Sequence, residues 1–173
     1  MHYKAYQTTL YSIVAAAAQL IYARANTRLN SVMLSFIGPS TDSMKDCNRF
    51  YLDPTNTLKM RCQIGENSYP DNAISSASEF YHRLLHATGS ANSAAHSPCI
   101  TSSSFGDQCF IAFQDFEACP HMAAGTGANT FNSQLSIQLE GMGTAPNLPT
   151  ACTVTSYHDV VLEITASGVT VAV

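Results

Sequence analysis

Apolar and polar residues alternate with a period of two in three segments, residues 58–64, 135–139 and 152–164. Strict alternation is typical of an antiparallel strand that buries one face and exposes the other. Residues 31–37 and 109–116 are apolar on both faces. We interpret these two as central strands, or strands that are covered on both sides.

Both ends of the chain also predict strands. Residues 10–14 and 19–23 are predicted as two short strands, although the four alanines at 15–18 favour a helix by propensity. Residues 169–173 follow the long strand after Ala166-Ser167-Gly168, a small turn-forming segment. This spacing predicts a closing hairpin at the end of the chain.

One helix is predicted, at about residues 73–88. Ser76 and Glu79 fit a capping box, in which each residue satisfies a backbone N–H at the helix start. Pro70 and Asp71 are expected to end the strand before it, and Gly89 supplies the stop. Residues 90–106 and 141–149 are expected to be long contact or surface loops.

Many strands, one inserted helix and long loops predict an all-β fold, an antiparallel jelly-roll sandwich. The length of 173 residues suits a single domain over 1–173. The first residues, 1–26, have the least regular pattern, and we interpret them as a possible N-terminal arm exchanged between subunits.

Composition narrows the classes of function. Hydrophobic residues make up 46% of the chain and charged residues 12%, against about 25% in ordinary soluble domains. This excludes a disordered chain and favours either a subunit with large buried contacts or a neutral monomer. The 8 basic residues are scattered among 12 acidic ones, so direct nucleic-acid binding is not expected. The sequence contains no run of roughly 18 apolar residues, so a membrane-spanning helix is not expected.

Six cysteines are present, and none forms a C-x-x-C pair. Their irregular spacing argues against a disulfide framework, since a chain of this length needs none to fold. Free and mostly buried thiols are therefore expected.

Candidate metal ligands occur in two places. Glu79, His82 and His86 lie on one side of the predicted helix. The H-E-x-x-H pattern of zinc peptidases is absent, so we interpret them as the polar flank of an amphipathic helix. Cys119 and His121 flank a proline, and without a second ligand cluster they are interpreted as a turn. No metal site is predicted.

The candidate catalytic groups do not form a convincing active site either. His158 and Asp159 could belong to a hydrolytic triad, but alternation puts them on opposite faces of one strand, which favours a hydrogen-bonded core histidine. The glycine pairs at 125–127 and 141–143 neither open an amphipathic helix nor precede Lys-Ser/Thr, so turns explain them better than phosphate binding. No catalytic residue and no cofactor is predicted, and the chain is not expected to be an enzyme.

Several blocks of the chain resemble one known family. The order and spacing of the blocks carry the resemblance, and the blocks that end in Pro70 and in Ile164 are the most distinctive. The blocks are Thr27–Phe36, Cys62–Pro70, Glu79–Tyr81, Phe110–Glu117, Ser133–Leu139, Tyr157–Ile164 and Gly168–Val171. Together they resemble the C-terminal jelly roll of major capsid proteins from polinton-like and adintovirus-like eukaryotic DNA viruses.

The resemblance implies a structural protein of the virion capsid, made in the cytoplasm or nucleus of the host. Its partners would be other copies of itself, most simply as a trimer, and neighbouring capsid proteins of an icosahedral shell. Such proteins carry two jelly rolls in one chain, and 173 residues suffice for one. The chain is therefore either the C-terminal part of a longer product or a single-jelly-roll relative, for which a pentamer is possible.

The alternative is a cellular jelly-roll module that binds carbohydrate or a receptor. Such a site needs exposed aromatic side chains beside Asp or Asn, and Tyr157 and the Phe105–Asp107 corner are the nearest candidates. The absence of tryptophan weakens this alternative.

Overall fold

The computed structural model describes residues 2–38, 57–91, 100–107, 110–117, 127–143, 148–165 and 168–172. These residues form nine strands and two helices. The strands are β1 (His2–Ser12), β2 (Ala18–Tyr22), β3 (Leu29–Ile37), β4 (Lys59–Ile64), β5 (Asn67–Ile74), β6 (Ile111–Asp115), β7 (Leu135–Glu140), β8 (Ala151–Thr165) and β9 (Gly168–Ala172). The helices are α1 (Ala77–Ala87) and α2 (Ser102–Asp107).

The strands form two antiparallel sheets. The first sheet has the order β1-β8-β3-β6, with β9 added to β8, and the second has the order β2-β7-β4-β5. Successive strands cross repeatedly from one sheet to the other, which is the eight-stranded arrangement of a jelly roll. The predicted fold class is confirmed, and β9 is an addition to it.

The core lies between the inner faces of the two sheets. Leu34 and Val154 are neighbours on adjacent strands of the first sheet, and Met60 and Leu139 are neighbours in the second. All four side chains are buried, because alternate residues of each strand point to the same face. The alternating patterns at 58–64, 135–139 and 152–160 therefore mark true inner faces.

A polar contact joins the two sheets inside this core. The hydroxyl of Tyr22 in β2 lies 2.6 Å from the hydroxyl of Ser156 in β8, and both residues are buried. Tyr22 also donates to Oε1 of Gln7 in β1 at 3.4 Å. Because buried polar groups must find partners, these contacts help to set how one sheet lies over the other.

The N-terminal residues contribute one strand to each sheet. The first predicted strand, residues 10–14, was placed too late and made too short, since β1 runs from His2 to Ser12 along β8. The second, residues 19–23, is confirmed within one residue as β2, and residues 15–17 form a bend instead of a helix. An arm of residues 1–26 exchanged between subunits stays a prediction about the assembled protein.

The predicted helix start at residue 73 was wrong. Strand β5 continues through Pro70 to Ile74, and α1 begins at Ala77. Proline is tolerated there because β5 is an edge strand and its pairing with β4 is irregular. The capping prediction is confirmed for Ser76, whose hydroxyl accepts the backbone N–H of Glu79 at 3.2 Å.

Helix α1 packs beside β6, the last strand of the first sheet. Its Phe80 ring meets Phe110 edge-on at 5.2 Å between centroids. The expectation of a loop over 90–106 was wrong for α2, whose Phe105 is buried against Tyr81 and Phe110. Aromatic side chains of both helices thus pack on Phe110, the residue just before β6.

Candidate functional site

The outer face of the first sheet and the end of α1 enclose a cavity of about 340 Å³, which we call the groove. Its apolar lining comes from Met33, Leu84, Phe113 and Tyr157. Strand register explains the first sheet's part: Met33 lies opposite Phe113, and two residues earlier Ser31 lies opposite Tyr157. The groove is therefore a consequence of side-chain alternation combined with the position of α1.

Charged groups of the groove already have partners. Nζ of Lys4 lies 3.3 Å from Oε1 of Glu117. The backbone N–H of Glu117 donates to Oδ1 of Asp115 at 2.8 Å. Acid–base catalysis needs a group free to take and release a proton, so Asp115 and Glu117 are poor candidates for that role.

Asp159 and His158 do not converge on one site. The carboxylate of Asp159 accepts a hydrogen bond from Nδ2 of Asn30 at 3.0 Å, on the outer face of β8. The side chain of His158 is buried on the inner face, beside Ala5 and Leu29 on the adjacent strands. The triad reading is thereby excluded, as the alternation indicated.

The predicted hydrogen bonding of His158 was wrong for one ring nitrogen. Nδ1 is buried and has no hydrogen-bond partner among the described residues. Burial lowers the pKa of His158, and the neighbouring Asp159 carboxylate opposes that shift. The neutral imidazole is therefore the form that suits this position.

His82 and His86 come together on α1. Their Nε2 atoms lie 3.2 Å apart, and both side chains are exposed. Glu79 is turned away from them, since its Oε1 lies 3.1 Å from Nη2 of Arg83. The structure thus separates the predicted group of three into a histidine pair and an ion pair.

The glycine pair at 141–143 is explained by the backbone. Gly141 and Gly143 have φ angles of 70° and 94°, which favour glycine. A Cβ on Gly141 would collide with the carbonyl oxygen of Thr57. The backbone conformation therefore explains the two glycines, and their interpretation as a turn stays a prediction; Gly125 and the Cys119–His121 segment lie outside the described residues.

Two of the six cysteines are described. Cys62 and Cys152 are free and buried, as expected. Burial raises the pKa of each thiol to about 12. A thiol with so high a pKa is a poor nucleophile at neutral pH, because the thiolate is the reactive form.

Within the described ranges, no three His, Cys, Asp or Glu side chains are grouped closely enough to hold a metal ion together. Neither α1 nor α2 is long and apolar enough to cross a membrane.

Exposed large apolar side chains among the described residues include Val14, Ile21 and Phe131, and further examples lie on two structural elements, β1 and the β8–β9 hairpin. On the outer face of β1, Tyr6 is 74% exposed and Leu10 is 64% exposed. On the β8–β9 hairpin, residues 162–172, Ile164 is 69% exposed and Val171 is 55% exposed. Alternation had assigned Ile164 to a buried face, so sequence reasoning missed this surface.

Comparison with known proteins places the fold among viral capsid structures. The chain superimposes over its whole length on a PBCV-1 virus capsid structure, with a TM-score of 0.60, 10% sequence identity and 52% coverage of the matched chain. A crystal structure of PBCV-1 VP54, fitted into a reconstruction of the virophage Sputnik, gives a TM-score of 0.57 and 10% identity over the whole of this chain and 51% of that one. No protein-family model and no curated protein matches the sequence.

The likeness is one of fold. The chain is a jelly-roll sandwich of the kind seen in these capsid structures. It spans about half the length of each matched chain.

Proposed function

We propose that this protein is a structural subunit of a viral capsid. The observation that carries the proposal is the superposition of the entire chain on the PBCV-1 capsid structure, at a TM-score of 0.60. The match includes both sheets, so it concerns the whole sandwich and not a shared hairpin. Since a fold alone hosts many functions, the proposal also needs support from the surface.

The surface supports a subunit that is covered by neighbours. Exposed Tyr6 and Leu10 lie on β1, an edge strand of the first sheet, and exposed Ile164 and Val171 lie on the β8–β9 hairpin. Edge strands and exposed apolar side chains favour association with other chains. With 12% charged residues, little electrostatic repulsion opposes such contacts.

The finer assignments belong to the same proposal. The partners are further copies of this chain and neighbouring capsid proteins, with a trimer as the expected capsomer and a pentamer as the variant for a single-jelly-roll subunit. The shell is icosahedral, and the family is that of polinton-like and adintovirus-like capsid proteins, on the sequence blocks described above. The protein resides in the virion, is made in the host cytoplasm or nucleus, and has no catalytic role.

Assembly state tests the proposal directly. Light scattering after gel filtration should give a trimer or pentamer, and negative-stain microscopy of the same peak should show capsomers or closed particles. The double substitution Ile164→Ser/Val171→Ser should shift the peak towards the monomer of 18.6 kDa. Glu163→Gln, on the opposite face of the same hairpin, is the matched control and should leave assembly unchanged. A chain that stays monomeric at high concentration contradicts the proposal.

The carbohydrate-binding alternative loses one of its two candidate residues. Phe105 is 1% exposed and packs against Tyr81 and Phe110, so its ring is not available to stack on a sugar. Tyr157 lines the groove and is half-buried. The capsid proposal is therefore the stronger of the two.

A further inference from the structure

Two histidines of α1 form a geometric pair that the capsid proposal does not use. His82 and His86 are one helical turn apart, and their Nε2 atoms are separated by 3.2 Å. The ring centroids are 4.4 Å apart and the planes are inclined at 64°. Because the Nε2 atoms are closer than the ring centres, the two rings lean towards each other at their Nε2 edges.

This separation matches the requirement of a shared metal ion. Zinc binds imidazole nitrogen at about 2.0–2.1 Å, so two nitrogens at a tetrahedral angle lie about 3.3 Å apart. The observed 3.2 Å is close to that value. Imidazole is also a preferred ligand of copper and nickel ions. We propose that His82 and His86 form a two-ligand site for a divalent cation of this class, with zinc as the reference ion.

The surroundings leave room for such an ion. Both histidine side chains are exposed, so water can complete the coordination. The nearest cationic group on the helix, the Arg83 guanidinium, is directed elsewhere: Nη2 contacts Oε1 of Glu79 at 3.1 Å, and Nη1 donates to Oε1 of Gln114 at 3.2 Å. Its charge is thus held beside a carboxylate and not beside the imidazoles.

The proposal replaces the sequence-based expectation of a merely polar helix flank. That expectation treated Glu79, His82 and His86 as one group and rejected it for lacking the zinc-peptidase pattern. The structure pairs Glu79 with Arg83 and leaves the two histidine Nε2 atoms at a separation that a shared ion could bridge. A site of this kind does not depend on the capsid proposal, since both ligands lie on one folded helix, α1.

The competing explanation for a 3.2 Å separation is a hydrogen bond between two neutral rings, one donating and one accepting. Zinc titration of the full chain, stripped of metal beforehand, distinguishes the two. Calorimetry should show one zinc ion per chain, and binding should weaken about 100-fold or more in both His82→Gln and His86→Gln, because a chelating pair loses its intramolecular advantage when either ligand is removed.

Glu79→Gln is the matched control, one turn earlier on the same helix, and should bind zinc like the parent chain. His82→Gln and His86→Gln replace exposed residues, and circular dichroism should confirm that these two variants fold. Nitrogen NMR of the imidazole rings gives a second readout, in which zinc should shift the Nε2 signals of both histidines together. Three results would each overturn the proposal. They are unchanged zinc affinity in His82→Gln and His86→Gln, an equal loss of zinc affinity in Glu79→Gln, and no shift of the Nε2 signals at saturating zinc.

Discussion

The two halves of β8 have the same sequence pattern and different surroundings. In the inner half, Cys152 and Val154 are fully buried because the second sheet covers their face. In the outer half, Ile164 continues the same alternation but is exposed. Among the described strands, β9 alone pairs with residues 162–165.

The difference teaches that alternation reports the pleat of a strand and not the presence of a second layer. Leu162 and Ile164 lie on the face that is buried earlier in β8, at Cys152 and Val154. Val171 of β9 lies opposite Leu162. A two-stranded hairpin is at best marginally stable alone in water. An apolar face on such a hairpin therefore gains most from a cover supplied by another chain.

Truncating one isoleucine in the core and one on the exposed hairpin gives the largest expected contrast. Ile137 is completely buried in the second sheet, and Ile137→Ala should lower the free energy of unfolding by about 2–5 kcal/mol through lost burial and a cavity. Ile164→Ala should change it by about 0.5 kcal/mol or less in the monomer. Urea unfolding at low protein concentration measures both values, and similar losses would show that the hairpin is covered within its own chain.

Two glycines extend the contrast to the backbone. Gly141→Ala should cost about 2–4 kcal/mol, because φ is 70° and the new Cβ would meet the carbonyl oxygen of Thr57. Gly168→Ala, at the turn of the hairpin, meets no atom within 4 Å and should cost about 1–2 kcal/mol for its φ of 147° alone. Thermal unfolding of the two variants should rank them in that order, and the reverse order would contradict the close packing at Gly141.

Sequence patterns predicted the strands well where one face meets the core. The alternation at 58–64 and 135–139 corresponds to β4 and β7 within one residue. The sequence-based prediction failed at the edge of a sheet, where a proline is tolerated within a strand. Pro70 looked like a strand breaker, but β5 is an edge strand that accommodates it.

The candidate sites show a similar division. Spacing alone correctly separated His158 from Asp159, since neighbours on a strand point to opposite faces. Spacing also brought His82 and His86 to one side of α1, but it could not tell whether Glu79 would join them. That outcome depended on Arg83, which takes the Glu79 carboxylate through an i,i+4 ion pair. The i,i+4 spacing of Glu79 and Arg83 is visible in the sequence, but spacing alone does not decide which of several neighbours pairs with the carboxylate.

Removing one tyrosine hydroxyl from the core and one from the exposed surface gives a smaller contrast. Tyr22→Phe removes the contact with the Ser156 hydroxyl between the sheets and should cost about 1 kcal/mol. The loss is limited because Ser156 can still donate to the backbone oxygen of Gln7, at 3.3 Å. Tyr6→Phe, on the exposed face of β1, should change stability by about 0.5 kcal/mol or less. Chemical unfolding at one pH compares them, and equal effects would argue against a role for the inter-sheet hydroxyl pair.

The smallest expected effect is a pH dependence from His158. Burial lowers the pKa of His158 in the folded protein below the usual 6.5, so the unfolded chain binds the proton more readily. The contribution to stability is thus fully present above about pH 6.5 and declines as the pH falls from there towards the folded-state pKa. The Asp159 carboxylate reduces the effect but does not reverse it.

Thermal midpoints measured from neutral to mildly acidic pH should therefore fall slightly more steeply for the parent chain than for His158→Gln, which has no imidazole to protonate at that position. His82→Gln is the matched control on the exposed helix face and should keep the His158 contribution. Parallel pH profiles for the parent chain and His158→Gln would mean that the histidine is as easily protonated folded as unfolded. That result would mean that the attraction of the Asp159 carboxylate fully offsets the cost of burying the charged imidazole.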